Sequence, residues 1–331
     1  MIVANIMTFG RTYDTRSFEF SIKTDNLSAG SSTATQFRLP FNSFDFVPFN
    51  ITWGDGSFNI ITNFDDPNLL HQYPTAGTYN VKCSGVVGGL QFANTGDRLK
   101  LLVISKVDGL NISVSQTFRG CSNMTWIAND TPFISTLSLL GTFRACSSFD
   151  GNISSWNTQN VTNMEEMFRN ATIFNQNIGN WNTSNVTVMN NMFAVTSSFN
   201  QNIGNWNVGN LLSMGGMFTQ ATKFNQNIGN WNVSNVTNMT ALFSAATLFN
   251  QNIGNWNVSN VTSFASFMAG KTASNFSAAN LDAIYNGWSS RPVKTLIEIN
   301  FNTIKYTAAS SAGRAILTDA PNNWAITDGG I

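Results

Sequence analysis

The chain has 331 residues, of which 42% are hydrophobic and only 10% are charged, with acidic and basic residues in equal number. The length predicts two or three domains, and the charged fraction lies far below the roughly 25% usual for globular proteins. No basic stretch is present for nucleic acid or an anionic membrane surface, and no apolar run reaches the roughly 18 residues of a membrane-spanning helix.

The first residues, MIVANIMTFGR, lack the basic region and apolar core of a secretory signal peptide. We therefore expect the protein to stay in the cell that makes it or to leave without a signal, for example within a virus particle. Residues 1–14 are assigned as an N-terminal arm, with an edge strand as the alternative.

Residues 15–108 contain short β-prone runs separated by turn residues: FEFSIKT, TQFRLP, FNITWGDGS, GTYNVKCSG and LKLLVIS. This spacing predicts a β-sandwich. The residues W-G-D-G-S at 53–57, then His71, Tyr73 and G-T-Y-N-V at 77–81, resemble the signature of PKD-like domains. The resemblance implies an immunoglobulin-like sandwich over 15–108, with His71 packed beside Tyr73.

Three other positions are candidates for chemical sites. A catalytic role for His71, the only histidine, would need a nucleophile and an orienting carboxylate in reach, and we interpret it as structural. Asp65 and Asp66 supply too few oxygens for calcium, which takes about six to eight, and we expect a solvated loop.

The three cysteines, Cys83, Cys121 and Cys146, are too few and odd in number for a disulfide framework. Cys121 and Cys146 are 25 residues apart in the matching contexts FRGCS and FRACS, so a stacked array would leave them close enough to pair. The favoured interpretation is buried thiols that act as small apolar side chains.

The segment FNQNIGNWN occurs four times, at 174–182, 199–207, 224–232 and 249–257, and a looser copy, FDGNISSWN, lies at 149–157. Such a repeat cannot bury its aromatic residues alone, but in a stack each recurring position becomes an internal ladder. The recurring columns are Trp156, Trp181, Trp206, Trp231 and Trp256; Phe149, Phe174, Phe199, Phe224 and Phe249; Ile153, Ile178, Ile203, Ile228 and Ile253; Phe118, Phe143, Phe168, Phe193, Phe218 and Phe243; and Met164, Met189, Met214 and Met239.

Each unit is predicted to hold β-prone pieces around FNQNI and WNVSNV, followed by a short helix or 3₁₀ turn. The helix is indicated by Met239, Leu242, Phe243 and Ala246, which follow the i, i+3, i+4, i+7 pattern of a one-faced helix. Asparagine suits the corners because it tolerates left-handed backbone and bonds its own turn, and stacked amides can bond from coil to coil.

The pattern F-N-x-x-I-x-x-W-N-V-S-N-V-T-x-M-x-x-M-F resembles the BspA-type leucine-rich-like repeats of bacterial surface proteins and of some phage and large-virus proteins. The resemblance implies a repeat solenoid over 109–275, followed by a C-terminal capping module at 276–331 with helices and strands. The predicted fold class is therefore multi-domain α+β: an immunoglobulin-like sandwich, a leucine-rich-like solenoid and an α/β cap.

Between Asn170 and Gly270 the only charged residue is Lys223. Acid–base catalysis needs positioned titratable groups, and a metal site needs clustered His, Cys, Asp or Glu. The sequence also lacks phosphate-binding, dinucleotide and hydrolase motifs. We therefore predict no enzymatic activity, no cofactor and no metal.

Display on a surface and recognition of a partner are the remaining classes of function. The first hypothesis is a bacteriophage virion surface protein, such as a head fibre, a capsid decoration protein or a tail-tip adhesin. Its sandwich would dock on other virion proteins, and its solenoid would contact a host glycan or protein. The alternative is a bacterial cell-surface or secreted adhesin. A homo-oligomer is expected, and nucleic-acid binding and membrane insertion are not.

The candidate binding face comprises glutamine–asparagine pairs on the repeated strand, and strand neighbours point to opposite sides, so one member of each pair should face solvent. The alternative is a solvated ladder without a ligand, and the tryptophan column is assigned as a structural ladder. The pairs are Gln176 and Asn177, Gln201 and Asn202, Gln226 and Asn227, and Gln251 and Asn252.

Overall fold

The computed structural model describes residues 14–42 and 46–331, so the predicted arm at 1–14 lies outside the described residues except for Asp14. Within them the chain forms twelve β-strands and two α-helices. The strands are β1 (Ser17–Lys23), β2 (Gln36–Arg38), β3 (Phe49–Thr52), β4 (Phe58–Ile61), β5 (Leu70–Gln72), β6 (Thr78–Ser84), β7 (Leu101–Lys106), β8 (Asn111–Ile112), β9 (Thr125–Trp126), β10 (Phe133–Ile134), β11 (Glu298–Asn300) and β12 (Ala325–Thr327). The helices are α1 (Ala278–Ser289) and α2 (Ser311–Thr318).

Six of these strands form a single sheet in the order β4-β3-β6-β1-β7-β9, in which only β7 and β9 run parallel. A separate antiparallel pair is formed by β2 and β5. The predicted immunoglobulin-like sandwich is therefore wrong, since the described residues hold one six-stranded sheet and one pair instead of two facing sheets. Four of the five predicted runs became neighbours in one layer. The local sequence indicates which residues form a strand, whereas the strand that pairs with it is determined by residues far away in the chain.

The repeat units stack on one another through parallel one-residue bridges at Ser138, Asn163, Val188, Ser213, Asn238 and Ser263. Between bridged units the backbone bonds directly. In the unit that begins at Met164, the N–H groups of residues 164, 166, 168 and 170 donate to carbonyls 24 residues further on, at 2.9–3.0 Å. The same donors recur in the units that begin at 139, 189, 214 and 239.

The predicted solenoid of strand-and-helix coils is also wrong. In the described residues, the units from 137 to 275 contain no α-helix and no strand, only turns and isolated bridges. The segment expected to be helical has two left-handed residues per unit, for example φ +53° at Ala241 and at Ala245, and a helix needs negative φ throughout. Met239, Leu242, Phe243 and Ala246 are all buried, so their spacing reflects burial in a chain of turns.

The left-handed positions also differ from those expected. In each unit one of them lies in the M-x-x-M-F segment and the other lies two residues after it, not in the asparagine-rich corners, and most hold other residue types, including Val195 and Gln220. The N–H groups of both residues donate to carbonyls of the next coil. We conclude that bonding between coils, more than residue preference, sets these conformations.

Aromatic rings pack along the stack in continuous columns. Phe168, Phe193 and Phe218 follow one another at centroid distances of 5.6 and 5.8 Å, with ring planes within 7° of parallel. Phe174, Phe199 and Phe224 form a second column at 6.0 Å. These columns supply the core of the array, while the hydrogen bonds between coils hold neighbouring backbones about 5 Å apart.

Backbone bonding between coils begins before the predicted start of the repeat region. Before residue 109, Phe92 N–H donates to the Thr117 carbonyl at 2.9 Å and Asn94 N–H to Arg119 at 2.8 Å. In addition, β7 pairs with both β1 and β9, so the sheet and the array share a strand. Backbone bonding therefore continues through the predicted limit between 108 and 109.

At the other end, α1 covers the last coil. Its Trp288 Nε1 donates to the Ile253 carbonyl at 3.2 Å, and Gly287 lies directly against Gly254. The parallel pair of β11 and β12 and the helix α2 complete the C-terminal module. Neither helix in the described chain has the length and apolar character needed to cross a bilayer.

Lys271 closes the turn of the last coil from inside. Its fully buried ammonium donates to the carbonyls of Ala246, Thr247, Phe249 and Asn275 at 2.6–3.0 Å. Burial lowers the pKa of Lys271 to about 8. The earlier units have a small residue at this position, such as Ala221 or Ala246, so the lysine marks the end of the repeat.

Candidate recognition surface

The repeated segment separates its residues into an apolar inner side and an amide outer side. In the copy at 199–207, Phe199, Ile203 and Trp206 are buried, whereas Asn202 and Asn205 are exposed. The same division recurs in the other three copies. The outer side of the stacked units therefore carries regularly repeated amide groups.

The predicted glutamine–asparagine pairs lie at this surface without forming a strand. In all four pairs the asparagine is exposed and the glutamine is half-buried. Gln226 Nε2 donates to the backbone carbonyl and to Oδ1 of Asn200, both at 2.9 Å. Gln251 makes the same contacts with Asn225. These two glutamines thus connect adjacent coils, and no such bond is found for Gln176 or Gln201 in the described chain.

The exposed asparagines of the pairs fix a turn. Asn177, Asn202 and Asn227 each accept, through Oδ1, the N–H of the glycine two residues later at 3.0 Å, and Asn252 does so at 2.8 Å. Their Nδ2 groups have no partner within the described residues and face solvent. One half of each amide is therefore structural and the other half is available for contact.

Sequence reasoning missed two further asparagine columns. The first joins coils: Asn175, Asn200 and Asn225 each accept, through Oδ1, the N–H of the residue 25 positions later at 2.9 Å. The second is exposed and makes no hydrogen bond to other described residues. It consists of Asn180, Asn205, Asn230 and Asn255.

This second set, the free amide column, is identical in all four copies, as is the rest of the nine-residue segment FNQNIGNWN. The column just before each phenylalanine is Ile173, Ser198, Lys223 and Leu248, four different residues. The free amide column keeps asparagine in all four copies although its side chains make no hydrogen bond to other described residues. This identity between copies was a signal available in the sequence.

The tryptophans lie in one row behind the amides. Trp181, Trp206, Trp231 and Trp256 each donate, through Nε1, to the carbonyl of the isoleucine 28 residues earlier at 3.0–3.1 Å. Trp156 lies one coil before them, 6.4 Å from Trp181, and its Nε1 has no partner among the described residues. The row holds the surface in place and does not reach solvent.

Comparison with known families identifies the repeat region. It matches the family described as "Mycoplasma protein of unknown function, DUF285" at residues 112–222 and 178–283, which together cover more than half of the chain. The chain belongs to the DUF285 family. The match agrees loosely with the resemblance to BspA-type repeats. No curated protein and no solved structure matches the chain.

Outside the DUF285 region, the PKD-like signature residues converge on one cluster. The His71 ring stacks on Trp53 at 4.6 Å and meets Tyr73 edge-on at 4.5 Å. His71 Nε2 lies 2.8 Å from Asp55 Oδ2 and 3.3 Å from Ser57 Oγ. Burial pushes the pKa of Asp55 upward, but hydrogen bonds from Ser57 and His71 outweigh it and lower that pKa to about 2.

This cluster has the residue types of a hydrolase triad but a different geometry. Asp55 and Ser57 both approach the same imidazole nitrogen of His71, and Ser57 Oγ donates to Asp55 Oδ1 at 2.5 Å. In a triad the carboxylate holds the opposite nitrogen, so that the near nitrogen can take the serine proton. The geometry therefore favours a structural role for His71.

The other candidate sites also serve the fold. Asp66 is buried and accepts N–H groups from Thr62 and Asn68 at 3.1 and 2.9 Å, and backbone bonding lowers its pKa. No cluster of three or more His, Cys, Asp or Glu that could hold a metal occurs in the part of the chain described.

Cys121 and Cys146 lie in the DUF285 region as free, fully buried thiols. Burial raises the pKa of both, and Cys146 Sγ donates to the Phe118 carbonyl at 3.0 Å. A raised pKa disfavours the reactive thiolate.

Proposed function

We propose that this chain is a non-enzymatic contact protein whose amide surface binds a polar partner, such as a glycan or an uncharged protein surface. The free amide column carries the proposal. Its side chains are exposed, recur once in every coil of the stack, and are asparagine in all four copies although they make no hydrogen bond to other described residues. Amides can donate and accept hydrogen bonds at once.

Charge supports the same function. From Asn170 to Gly270 the array carries only Lys223, so long-range electrostatic steering contributes little and recognition rests on short-range hydrogen bonds. A partner with many hydroxyl or amide groups in a regular order is the best complement to such a surface.

For the setting, we propose the surface of a bacteriophage particle, with the N-terminal sheet region contacting other particle proteins and the array facing outward. A compact sheet region at one end of a rigid array supports this division of roles. A bacterial cell-surface or secreted adhesin is the second candidate, and the family description, which names a bacterium, favours it.

The binding proposal is tested with the full chain on a glycan array and on bacterial cells. The decisive variant replaces Asn180, Asn205, Asn230 and Asn255 together by alanine, which removes no hydrogen bond within the described protein. The control variant replaces the variable column, Ile173, Ser198, Lys223 and Leu248, by alanine.

We expect retention to fall at least about tenfold for the amide variant and to stay near the wild-type level for the control, because each lost interfacial hydrogen bond costs about 1 kcal/mol. Equal retention of both variants, or no retention of the wild-type chain on any surface, would show that the amide surface is only a solvated coat.

A further inference from the structure

The last coil of the array ends in backbone donors without acceptors. In the preceding coils, alternate N–H groups donate to the next coil, as residues 239, 241, 243 and 245 do to carbonyls 263, 265, 267 and 269. The equivalent donors of the last coil, at Phe264, Ser266, Met268 and Gly270, have no hydrogen-bond partner among the described residues. Such groups need a partner or water.

A groove of about 550 Å³ lies beside two of these donors. One wall is formed by residues 262–266 and 269, and the other by residues 296–300 and 302. Asn302 closes the groove through its Nδ2, which donates to the Met268 carbonyl at 2.7 Å. The wall residues Ala265 and Ser266 are small and exposed, so the backbone behind them can be reached.

The opposite wall is an unpaired strand edge. Ile297 and Phe301 bond to the segment of β12, since the Ala325 N–H donates to Ile297 and the Phe301 N–H donates to Thr327. Alternate residues of a strand bond to opposite sides, so the backbone groups of Glu298 and Asn300 point away from β12. They face the groove, where an added strand could pair with them.

The polarity of the array makes this groove attractive to carbonyl oxygens. The peptide unit that joins residues 163 and 164 accepts from the preceding coil and donates to the next, and its equivalents in other coils do the same. Their dipoles are therefore parallel, with the N–H ends at the last coil, as at the N-terminus of a helix. The Glu298 carboxylate lines the groove, so an extended peptide fits better than a free anion.

We propose that this groove binds residues 1–13 of a second copy of the chain as an added strand. This segment, MIVANIMTFGRTY, is rich in β-branched and apolar residues, has no acidic residue, and carries Arg11 as a partner for Glu298. Its carbonyls would take the free N–H groups of Phe264 and Ser266, and its other edge would pair with β11.

The distance between the start of the described chain and the groove favours a second copy. Arg16 lies over the Phe133 ring at 5.1 Å, near the first coils, and five bridge steps separate Ser138 from Ser263. At about 5 Å per hydrogen-bonded step the groove is roughly 25 Å away, a distance that about seven or eight extended residues span. Within one copy the segment would use about half of residues 1–13 to reach the groove, whereas the segment of a second copy can pair along its whole length. Between copies the contact is head-to-tail and builds a chain or a ring.

The test uses the full chain and a fluorescein-labelled synthetic peptide of residues 1–13. Sedimentation velocity should show assemblies that grow with concentration, and unlabelled peptide should disperse them. Two variants block the groove: Ala265→Tyr fills it, and Glu298→Pro removes an outward N–H from the edge of β11. Their controls are Glu165→Tyr, at the equivalent position four coils earlier, and Glu298→Asp, which keeps both the backbone donor and the carboxylate.

We expect each blocking variant to weaken peptide binding and self-association at least about tenfold, with both controls within about twofold of wild type. Near-ultraviolet circular dichroism of every variant separates loss of binding from loss of folding. A monomer at all concentrations that does not bind the peptide, or self-association that is unchanged in folded Ala265→Tyr, would overturn the proposal.

Discussion

The N-terminal sheet region and the repeat array use charge differently. In the sheet region charged groups are placed singly, each with its own partners. Fully buried Lys100 donates to the carbonyls of Thr33 and Gln36 at 2.8 and 2.7 Å and lies 3.3 Å from Asp97. In the array, the side-chain amides of asparagine and glutamine make the polar contacts instead, and charge is almost absent from Asn170 to Gly270.

Repetition explains the difference. A charged residue repeated in every coil would face its own copy about 6 Å away, at a cost of about 1–3 kcal/mol per neighbouring pair. The one such column, Arg119, Arg144 and Arg169, stops after three coils and has Glu166 bonded to its last two members. An amide carries both a donor and an acceptor, so amides can occupy the same position in successive coils without such a cost.

The largest expected effect is loss of one tryptophan of the array. Trp206→Ala should lower the free energy of unfolding by about 3–5 kcal/mol, because it leaves a cavity and removes one of the two hydrogen bonds that the Ile178 carbonyl accepts. Trp181→Ala should agree within about 1 kcal/mol, since its surroundings repeat. Urea unfolding measures both, and widely different losses would contradict the equivalence of the coils.

The second largest effect on stability is expected at the contact between the last coil of the array and α1. Gly287→Ala should destabilise by about 1–3 kcal/mol, although alanine favours helices, because its Cβ would lie 2.0 Å from the Gly254 carbonyl oxygen. Asn286→Ala, on the exposed side of α1, is the matched control and should be near neutral, because it loses an exposed 3.3 Å hydrogen bond to the Ala309 carbonyl but gains helix propensity. Thermal unfolding of the pair distinguishes them, and a stabilised Gly287→Ala would refute the contact.

Acid should separate the two regions. The pKa of folded Asp55 is about 2, against an ordinary value of 3.8. Its contribution to stability, about 2 kcal/mol, is present above pH 4 and is lost as the pH falls towards 2.

Hydrogen exchange between pH 4 and pH 2 tests this acid sensitivity. Strands β3 and β6 should lose protection before the nearly uncharged coils do. Asp55→Asn should remove this early loss, and Asp319→Asn, at an exposed carboxylate, should not. Equal acid sensitivity of the sheet region and the array would contradict the proposed difference in their use of charge.

The smallest effect concerns strain within the array. Val195 has φ +60°, which is costly for a β-branched residue, and the equivalent position one coil earlier is Asn170. Val195→Asn should stabilise by about 1 kcal/mol. Calorimetry measures the change, and Ser197→Asn, where no positive φ occurs, serves as the control. A destabilised Val195→Asn would mean that packing of the valine outweighs its backbone strain.

The aromatic columns could be read directly from the 25-residue period, because burial of a large apolar side chain is required in every copy alike. Phe174, Ile178 and Trp181 recur in register for that reason, and they are buried. The near absence of charge from the repeat is equally plain in the sequence, and it limits the chemistry that the array could perform.

The backbone between those residues could not be read in this way. Ala241 and Ala245 are good helix formers, yet hydrogen bonds to the next coil hold both at positive φ. Likewise, β1, β3, β6 and β7 were recognisable as strands, but their arrangement in one sheet depends on pairing between residues far apart. Side-chain burial follows from local composition, whereas backbone bonding is completed only by neighbours that folding brings into contact.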